Sequence, residues 1–337
     1  MVKQKYTRVC ISDSAHSLMF YLMMSSPEEI DSTFFFLSDG IHPSNRAKLP
    51  SHAYIPIVRF RRNAWCKGLF LLYLIVLRLT ARLRWPFLKT AKIFAMDHLF
   101  FSAPLIGGRD YTLLADGPNC FFNIRTTPDY QNFSAPANQR LSVKLVRLLL
   151  GPCWHKCYGM NGQCTGVVKT TPDSLEAHEG KENRLFSLSD LWNGASDAKK
   201  KQILAVYDIT EEDEADMRRR PVILLTQQLA TEGTVTEEEL AKIYSDLLKP
   251  FPPDSILIKR HPRDRMDYRK YFPQALVYDK FAPMQLFAAI GIRFQTAVTL
   301  FSSSVTSFPE AQVIWGGTEV HPAVFRRYGK QQLPETK

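Results

Sequence analysis

The sequence predicts an α/β protein made of two doubly wound domains, and three observations carry that prediction. Its 337 residues allow two domains of roughly 150 residues each. The chain opens with a β-prone stretch, Thr7–Ser12, a polar turn at Asp13 and Ser14, and an apolar segment, His16–Met24, suited to a buried helix. From residue 221 the alternation returns in full. A strand over Pro221–Thr226 leads to a helix over Thr236–Leu248, which Thr236 and Glu239 open as a capping box, and then to a strand over Ser255–Arg260. Strand alternating with helix is the pattern of a parallel sheet covered on both faces.

The remaining elements follow in order. Further strands are predicted over Ser32–Leu37, Tyr54–Val58 and Tyr111–Leu114, the last ending at the turn Asp116-Gly117-Pro118-Asn119. Gly, Pro and polar residues interrupt 140–208 so often that it reads only as mixed structure. Residues 210–220 mix charges of both signs without an apolar stripe, as a solvated linker or exposed helix does. The expected division is therefore 1–208, a charged linker over 209–220, and 221–337. Within the last part come strands at Ala275–Tyr278, Thr299–Ser302 and Gln312–Trp315 and a helix at Met284–Ala289.

Hydrophobic residues make up 45% of the chain and charged ones 23%, which excludes disordered, collagenous and coiled-coil classes. A net charge of +10 points to an anionic partner, whether nucleic acid, lipid or a phosphorylated substrate. Six cysteines without a leading secretory signal suggest a reducing compartment, expected to be the cytoplasm. The longest apolar run, Gly68–Leu77, is about half of the ~20 residues a spanning helix needs.

Three segments could carry chemistry. At the end of the Ser255–Arg260 strand stand Lys259, Arg260, His261, Pro262 and Arg263. The carboxyl edge of an open α/β sheet is where ligands bind, and these cations with a fixed imidazole suit a phosphate or carboxylate. A solvated surface turn is the competing reading. Ser302, Ser303 and Ser304 could gather hydroxyls and free amides around the same anion, or one of them could simply cap a helix. Asp116 closes the Tyr111–Leu114 strand and could act as a general base toward a hydroxyl acceptor, or belong to an ordinary Asp-Gly turn.

Residues 59–92 hold nine Lys or Arg and no acid, interleaved with aromatics. Such a band fits an anionic membrane surface, a helix packed on the sheet with a basic outer face, or a nucleic-acid surface. Cys153, His155, Cys157 and Cys164 cluster, but not at the spacing of a zinc finger or ribbon. A dinucleotide fingerprint, P-loop, HExxH and GxSxG are all missing, which weighs against dehydrogenase, nucleotide triphosphatase, zinc protease and α/β-hydrolase chemistry.

Ala115-Asp116-Gly117, the Lys259–Arg263 turn and Ser302–Ser304, in that order, resemble the signature set of bacterial sialyltransferases. The opening segment Cys10–Met24 and the strand Ile223–Leu229 resemble glycosyltransferase family 52 more narrowly. That resemblance implies a GT-B fold, two Rossmann-like doubly wound domains facing a central cleft, with nucleotide-sugar bound by the C-terminal domain and acceptor glycan by the N-terminal one. It implies an inverting, metal-independent sialyltransferase that uses CMP-sialic acid to extend lipooligosaccharide or capsule glycans at the inner face of a bacterial inner membrane, or else a family-52-like transferase of a neutral sugar from another nucleotide-sugar. By the same resemblance Asp116 is the base and His261 neutralises the leaving phosphate. Lys259, Arg260, Pro262, Ser302, Ser303 and Ser304 belong to the donor site, and Thr226 and Gln227 line it. No metal and no cofactor beyond the donor are implied. Ala115 stands where the family's first motif acid would be, so a catalytically silent glycan- or nucleotide-binding relative is the alternative from another class. Expected partners are nucleotide-sugar, a lipid-linked oligosaccharide and, through 59–92, an anionic bilayer, with a second copy of the chain left open and nucleic acid disfavoured.

Overall fold

The computed structural model of the chain describes residues 5–57, 64–117, 120–125, 141–151 and 158–333. They divide into two units, Met1–Val206 and Tyr207–Lys337.

The first unit is built on seven strands: β1 (Arg8–Ser12), β2 (Thr33–Leu37), β3 (His52–Tyr54), β4 (Lys92–Ala95), β5 (Tyr111–Leu114), β6 (Cys164–Lys169) and β7 (Glu182–Leu185). They lie in the order β3-β2-β1-β4-β5-β6-β7, every neighbouring pair parallel. Both faces are covered, so the central strands read as continuous apolar runs, as in Val9-Cys10-Ile11 and Phe35-Phe36-Leu37, all fully buried. The edges β3 and β7 are short and largely exposed, which blunts them against pairing with another chain. The strand expected over 54–58 lies at 52–54 instead, because Pro56 has no N–H to continue the ladder. Strands β4, β6 and β7 were not among the expected elements.

Within the basic band, residues 59–63 lie outside the described set, and Ala64–Arg84 forms one helix. Its inner face, Leu74, Leu77 and Ala81, joins a core with Val9, Ile11 and Phe36, and Trp85 packs edge-on against Phe36 with ring centroids 4.8 Å apart. One face of the band is thus structural. Burying each such Leu is worth about 1.5–3 kcal/mol.

The second unit contains five parallel strands: β8 (Val222–Leu225), β9 (Ile256–Lys259), β10 (Leu276–Tyr278), β11 (Thr296–Thr299) and β12 (Gln312–Trp315), in the order β10-β9-β8-β11-β12. The helix Glu237–Leu248, capped at Thr236 with Glu239 reciprocating, buries Leu240, Ala241, Tyr244 and Leu248 against Val222, Leu224, Ile256, Ile258 and Val298. The strand expected at 299–302 ends at Thr299. Beyond it the Ser302 hydroxyl caps a short 3₁₀ turn, Ser303–Ser307, and the backbone leaves the sheet. Residues expected as a charged linker or exposed helix form the helix Glu211–Arg218. It is tied to the second unit by Arg218, which donates to the carbonyls of Gly291 (2.9 Å) and Ile290 (2.8 Å), and by the ion pair Lys280–Asp213.

Candidate active site

In the second unit the strand order reverses between β8 and β11, and an open parallel sheet offers its ligand crevice at the carboxyl edge of such a point. Thr226 follows β8, His261 follows β9 and Ser302–Ser304 follow β11, so three neighbouring strand ends bring together these predicted donor residues. Hydrogen bonds tie the ends to one another. The His261 N–H donates to Thr226 Oγ1 (3.0 Å), Thr299 Oγ1 donates to the Leu225 carbonyl (3.0 Å), and the Ser302 N–H donates to Thr299 Oγ1 (3.1 Å).

The His-Pro turn is held from below by Asp264. Its carboxylate, only 4% exposed, accepts from Thr226 Oγ1 (2.9 Å), Tyr268 OH (2.7 Å), Thr231 Oγ1 (3.2 Å) and the Met266 N–H (3.2 Å). Tyr244 completes the support, its OH accepting the Gln227 N–H at 2.8 Å. Within the turn His261 Nδ1 accepts from the Arg263 N–H at 3.2 Å, which fixes the ring's tautomer with the proton on Nε2 when neutral. Burial, reinforced by the Arg263 guanidinium, holds the imidazole below its usual range.

Lys259 and Arg260 lean toward the β10 side instead. Lys259 is buried on β9 with its ammonium over the Tyr278 ring at 5.6 Å, and burial with the nearby Arg260 charge pushes it down to about 8. Arg260 lies 3.4 Å from Asp279, which Arg269 also pairs. Pro262 and Ser303 are exposed, while Gln227, Ser302 and Ser304 are half-buried.

In the first unit Asp116 follows β5, beside the end of β4. Ser17, in the first turn of the helix Ala15–Met24, sits 3.4 Å from Asp116 Oδ1 and donates to the Ala115 carbonyl at 3.3 Å. His98 Nε2 lies 4.0 Å from Asp116 Oδ2, and its ring stacks on Tyr158 at 4.7 Å. The neighbouring Asp97 is fully buried, accepts from Tyr111 OH (2.6 Å) and the Gly159 N–H (2.7 Å), and is raised above the usual carboxylate range by burial. Ala115 belongs to the apolar core, 6% exposed, so the two motif positions have opposite environments.

Sequence reasoning missed Asp264, His98 and Ser17. Asp264 had a local signal, an acid three residues after His261 in a turn. His98 had none, because β4, which begins where the basic band ends, was not among the expected strands. Among the described residues no group of three or more His, Cys, Asp or Glu could hold a metal ion. Cys153, His155 and Cys157 lie outside the described residues, and so do Pro118 and Asn119.

The model of glycosyltransferase family 52 matches residues 100–324, a span that includes Asp116, His261 and the three serines. The chain belongs to glycosyltransferase family 52. This glycosyltransferase is 22% identical over 329 residues to an uncharacterized protein of Haemophilus influenzae, covering 95% of this chain and 97% of that one. Among solved structures it is similar to the GT-B domain of a sialyltransferase from Photobacterium damselae, with a TM-score of 0.56 and 14% identity over 91% of this chain and 89% of that one. It is also similar to a Photobacterium 2,6-sialyltransferase determined in a ternary complex with the donor product CMP and the acceptor substrate lactose. There the TM-score is 0.57 at 9% identity, covering 91% of this chain and 71% of that one. The glycosyltransferase has the GT-B fold.

Proposed function

We propose that this family 52 member is an inverting, metal-independent transferase that moves sialic acid from CMP-sialic acid to a lipooligosaccharide or capsule glycan. The observation that carries the reading is the joining of the β8, β9 and β11 ends, which sets His261 and the Ser302–Ser304 hydroxyls around one edge of the second sheet. A CMP-bound relative of the same fold supports the choice of nucleotide.

In this reading the Asp116 carboxylate takes the proton of the acceptor hydroxyl as that oxygen bonds to the anomeric carbon. The bond from that carbon to the donor phosphate oxygen breaks on the opposite face, and configuration inverts. CMP leaves with the electron pair. His261 and the serine hydroxyls stabilise the charge that gathers on its phosphate, and hydrogen bonds aimed at developing charge are worth about 3–4 kcal/mol each in such sites. Thr226 and Gln227 line the nucleotide. Lys259 adds positive potential from within the sheet, Arg260 and Pro262 shape the turn, and no metal has a role. Ser17 and His98 flank the base and orient it. The acceptor is lipid-linked at the inner face of a bacterial inner membrane, with the 59–92 band toward the bilayer.

One observation favours a second reading, a silent module that binds nucleotide or glycan without turnover: Ala115 leaves the motif with a single acid. A thermal-shift series with CMP, UDP, GDP and their sugars, followed by transfer from CMP-sialic acid to a lactoside, tests both. CMP at 100 times its Kd stabilises the native state by about 2.7 kcal/mol, so its melting temperature rises measurably. No shift with any nucleotide at millimolar concentration overturns the proposal. A shift with CMP but no transfer assigns the silent reading.

A further inference from the structure

Tyr158, close to the proposed base, has a φ of +43°, in the left-handed region that a tyrosine rarely adopts; among the described residues Asp208 is the other non-glycine with positive φ. Such a backbone persists only where its surroundings impose it, and it gathers at functional sites.

Two buried groups from separate stretches of the first unit impose it. Asp97, at the end of β4, accepts the Gly159 N–H at 2.7 Å. His178, in the 3₁₀ turn Glu176–His178, donates from Nε2 to the Tyr158 carbonyl at 2.8 Å. The proton is on that nitrogen because Nδ1 accepts the Leu175 N–H at 3.2 Å. Asp97 is fully buried and His178 is 1% exposed, so both bonds are shielded from water. Gly159, at φ +79°, leaves no room for a side chain, since a Cβ would stand 2.8 Å from His178 Nε2 and 3.1 Å from Leu113 Cδ2. The peptide group that joins Tyr158 to Gly159 is thus gripped at its oxygen and at its nitrogen.

The grip has a direction. His98 is the chain neighbour of Asp97, and its imidazole lies against the Tyr158 ring with centroids 4.7 Å apart and planes 21° from parallel. Asp97 therefore fixes the backbone under the tyrosine, while the tyrosine fixes the face of the next residue's imidazole. His98 Nε2 is presented to Asp116 Oδ2 at 4.0 Å, a distance that a small tightening on the acceptor would turn into a hydrogen bond. For a left-handed turn alone, glycine or asparagine would serve with less strain. Part of the ring also packs on the core, so a purely structural role is the rival.

We infer that Tyr158 is a positioning residue: clamped between Asp97 and His178, it holds the His98 imidazole in the orientation that aims it at the Asp116 base. The inference deepens the transferase reading above and rests on it for its catalytic purpose. None of the three clamp residues needs to touch substrate.

Two measurements on the full chain test it. In histidine-labelled protein the His98 ring protons, assigned by their loss in His98→Gln, should resonate upfield under the Tyr158 ring. They should move downfield in Tyr158→Gly, which accepts the left-handed backbone, and stay in place in Tyr158→Phe, which keeps the ring. Tyr158→Asn removes the ring in a second residue that tolerates this backbone. In transfer from CMP-sialic acid to a lactoside, Tyr158→Gly should lower kcat at least tenfold with the KM for CMP-sialic acid within twofold of wild type, and Tyr158→Phe should restore kcat to within twofold. The double variant Tyr158→Gly/His98→Ala should lose no more than the larger single loss, because the tyrosine acts through that histidine. Losses that multiply in the double variant assign Tyr158 the structural role and overturn the inference. So do a Tyr158→Gly kcat within twofold of wild type, His98 signals indifferent to the ring, and a tenfold loss in Tyr158→Phe, which would assign the effect to the hydroxyl. A wild-type chain that transfers no sugar overturns the transferase reading instead, and the resonance comparison then still decides whether the clamp orients His98.

Discussion

The backbone N–H of His261 donates to Thr226 Oγ1 across 3.0 Å, so the turn after β9 is moored to the end of β8. The imidazole is thereby placed by main chain and not by a flexible stem, and the same Thr226 hydroxyl donates a hydrogen bond to Asp264 at 2.9 Å. Position in this site is set before any ligand arrives.

His261→Ala should therefore remove the group proposed to meet the leaving phosphate while sparing the scaffold, since the bond to Thr226 uses the backbone. The expected loss in transfer rate is more than tenfold, about 1.4 kcal/mol or more at the transition state, with little change in melting temperature. Single-turnover kinetics with CMP-sialic acid measure it, and a rate within twofold of wild type would remove His261 from the mechanism.

Asp116→Asn should abolish turnover and leave CMP affinity intact, because the proposed base acts on the acceptor and not on the donor. Calorimetric titration with CMP beside a transfer assay separates the two effects. Equal losses in both would argue for a structural role at the β5 end.

The pH dependence has a definite sign. In the free protein burial and Arg263 keep the His261 imidazole below its ordinary 6.5, whereas a bound phosphate favours the charged ring and raises it. The complex then holds more protons than the free protein between the two values. Donor affinity should rise as pH falls through the liganded value and level off below the free one. Titration with CMP-sugar in buffers of different ionisation enthalpy should show net proton uptake, and His261→Ala should abolish that uptake.

Asp264→Ala strips four donors, those of Thr226, Thr231, Tyr268 and Met266, of their buried acceptor. An unsatisfied buried polar group costs about 1–3 kcal/mol, and water entering the space left by the carboxylate offsets part of the sum. A loss of roughly 2–4 kcal/mol in urea unfolding is expected, together with weaker CMP binding as the turn loosens. Asp264→Asn keeps one acceptor oxygen and should fall between the two.

Much of the second unit was legible in its sequence because its β8–helix–β9 core is announced locally. Thr236 and Glu239 form the expected capping box, and Val222–Leu225 and Ile256–Lys259 are short, largely aliphatic runs bounded by turns. The first unit hid three strands. Lys92–Ala95 directly follows a cationic helix and a 3₁₀ turn, Cys164–Lys169 contains a glycine and a threonine, and Glu182–Leu185 is polar because it lies at an edge. With β4 unread, the place of His98 beside Asp116 had no basis, since proximity across strand ends follows from sheet order and not from spacing along the chain. The serines were found by composition, yet their strand was placed three residues late. A run such as Val298-Thr299-Leu300-Phe301 carries no periodic mark of where pairing stops; the Thr299 and Ser302 hydroxyls decide that by bonding to nearby backbone.

The burial of Ala115 reaches beyond its own side chain. An acid introduced there would arrive among hydrocarbon neighbours, where ionisation is costly, and would be kept protonated or would push the strand end outward. Restoring the missing letter of the motif would not restore a second base. Under the proposed mechanism proton abstraction has a single address, and any engineering of its rate has to begin at what surrounds that one carboxylate.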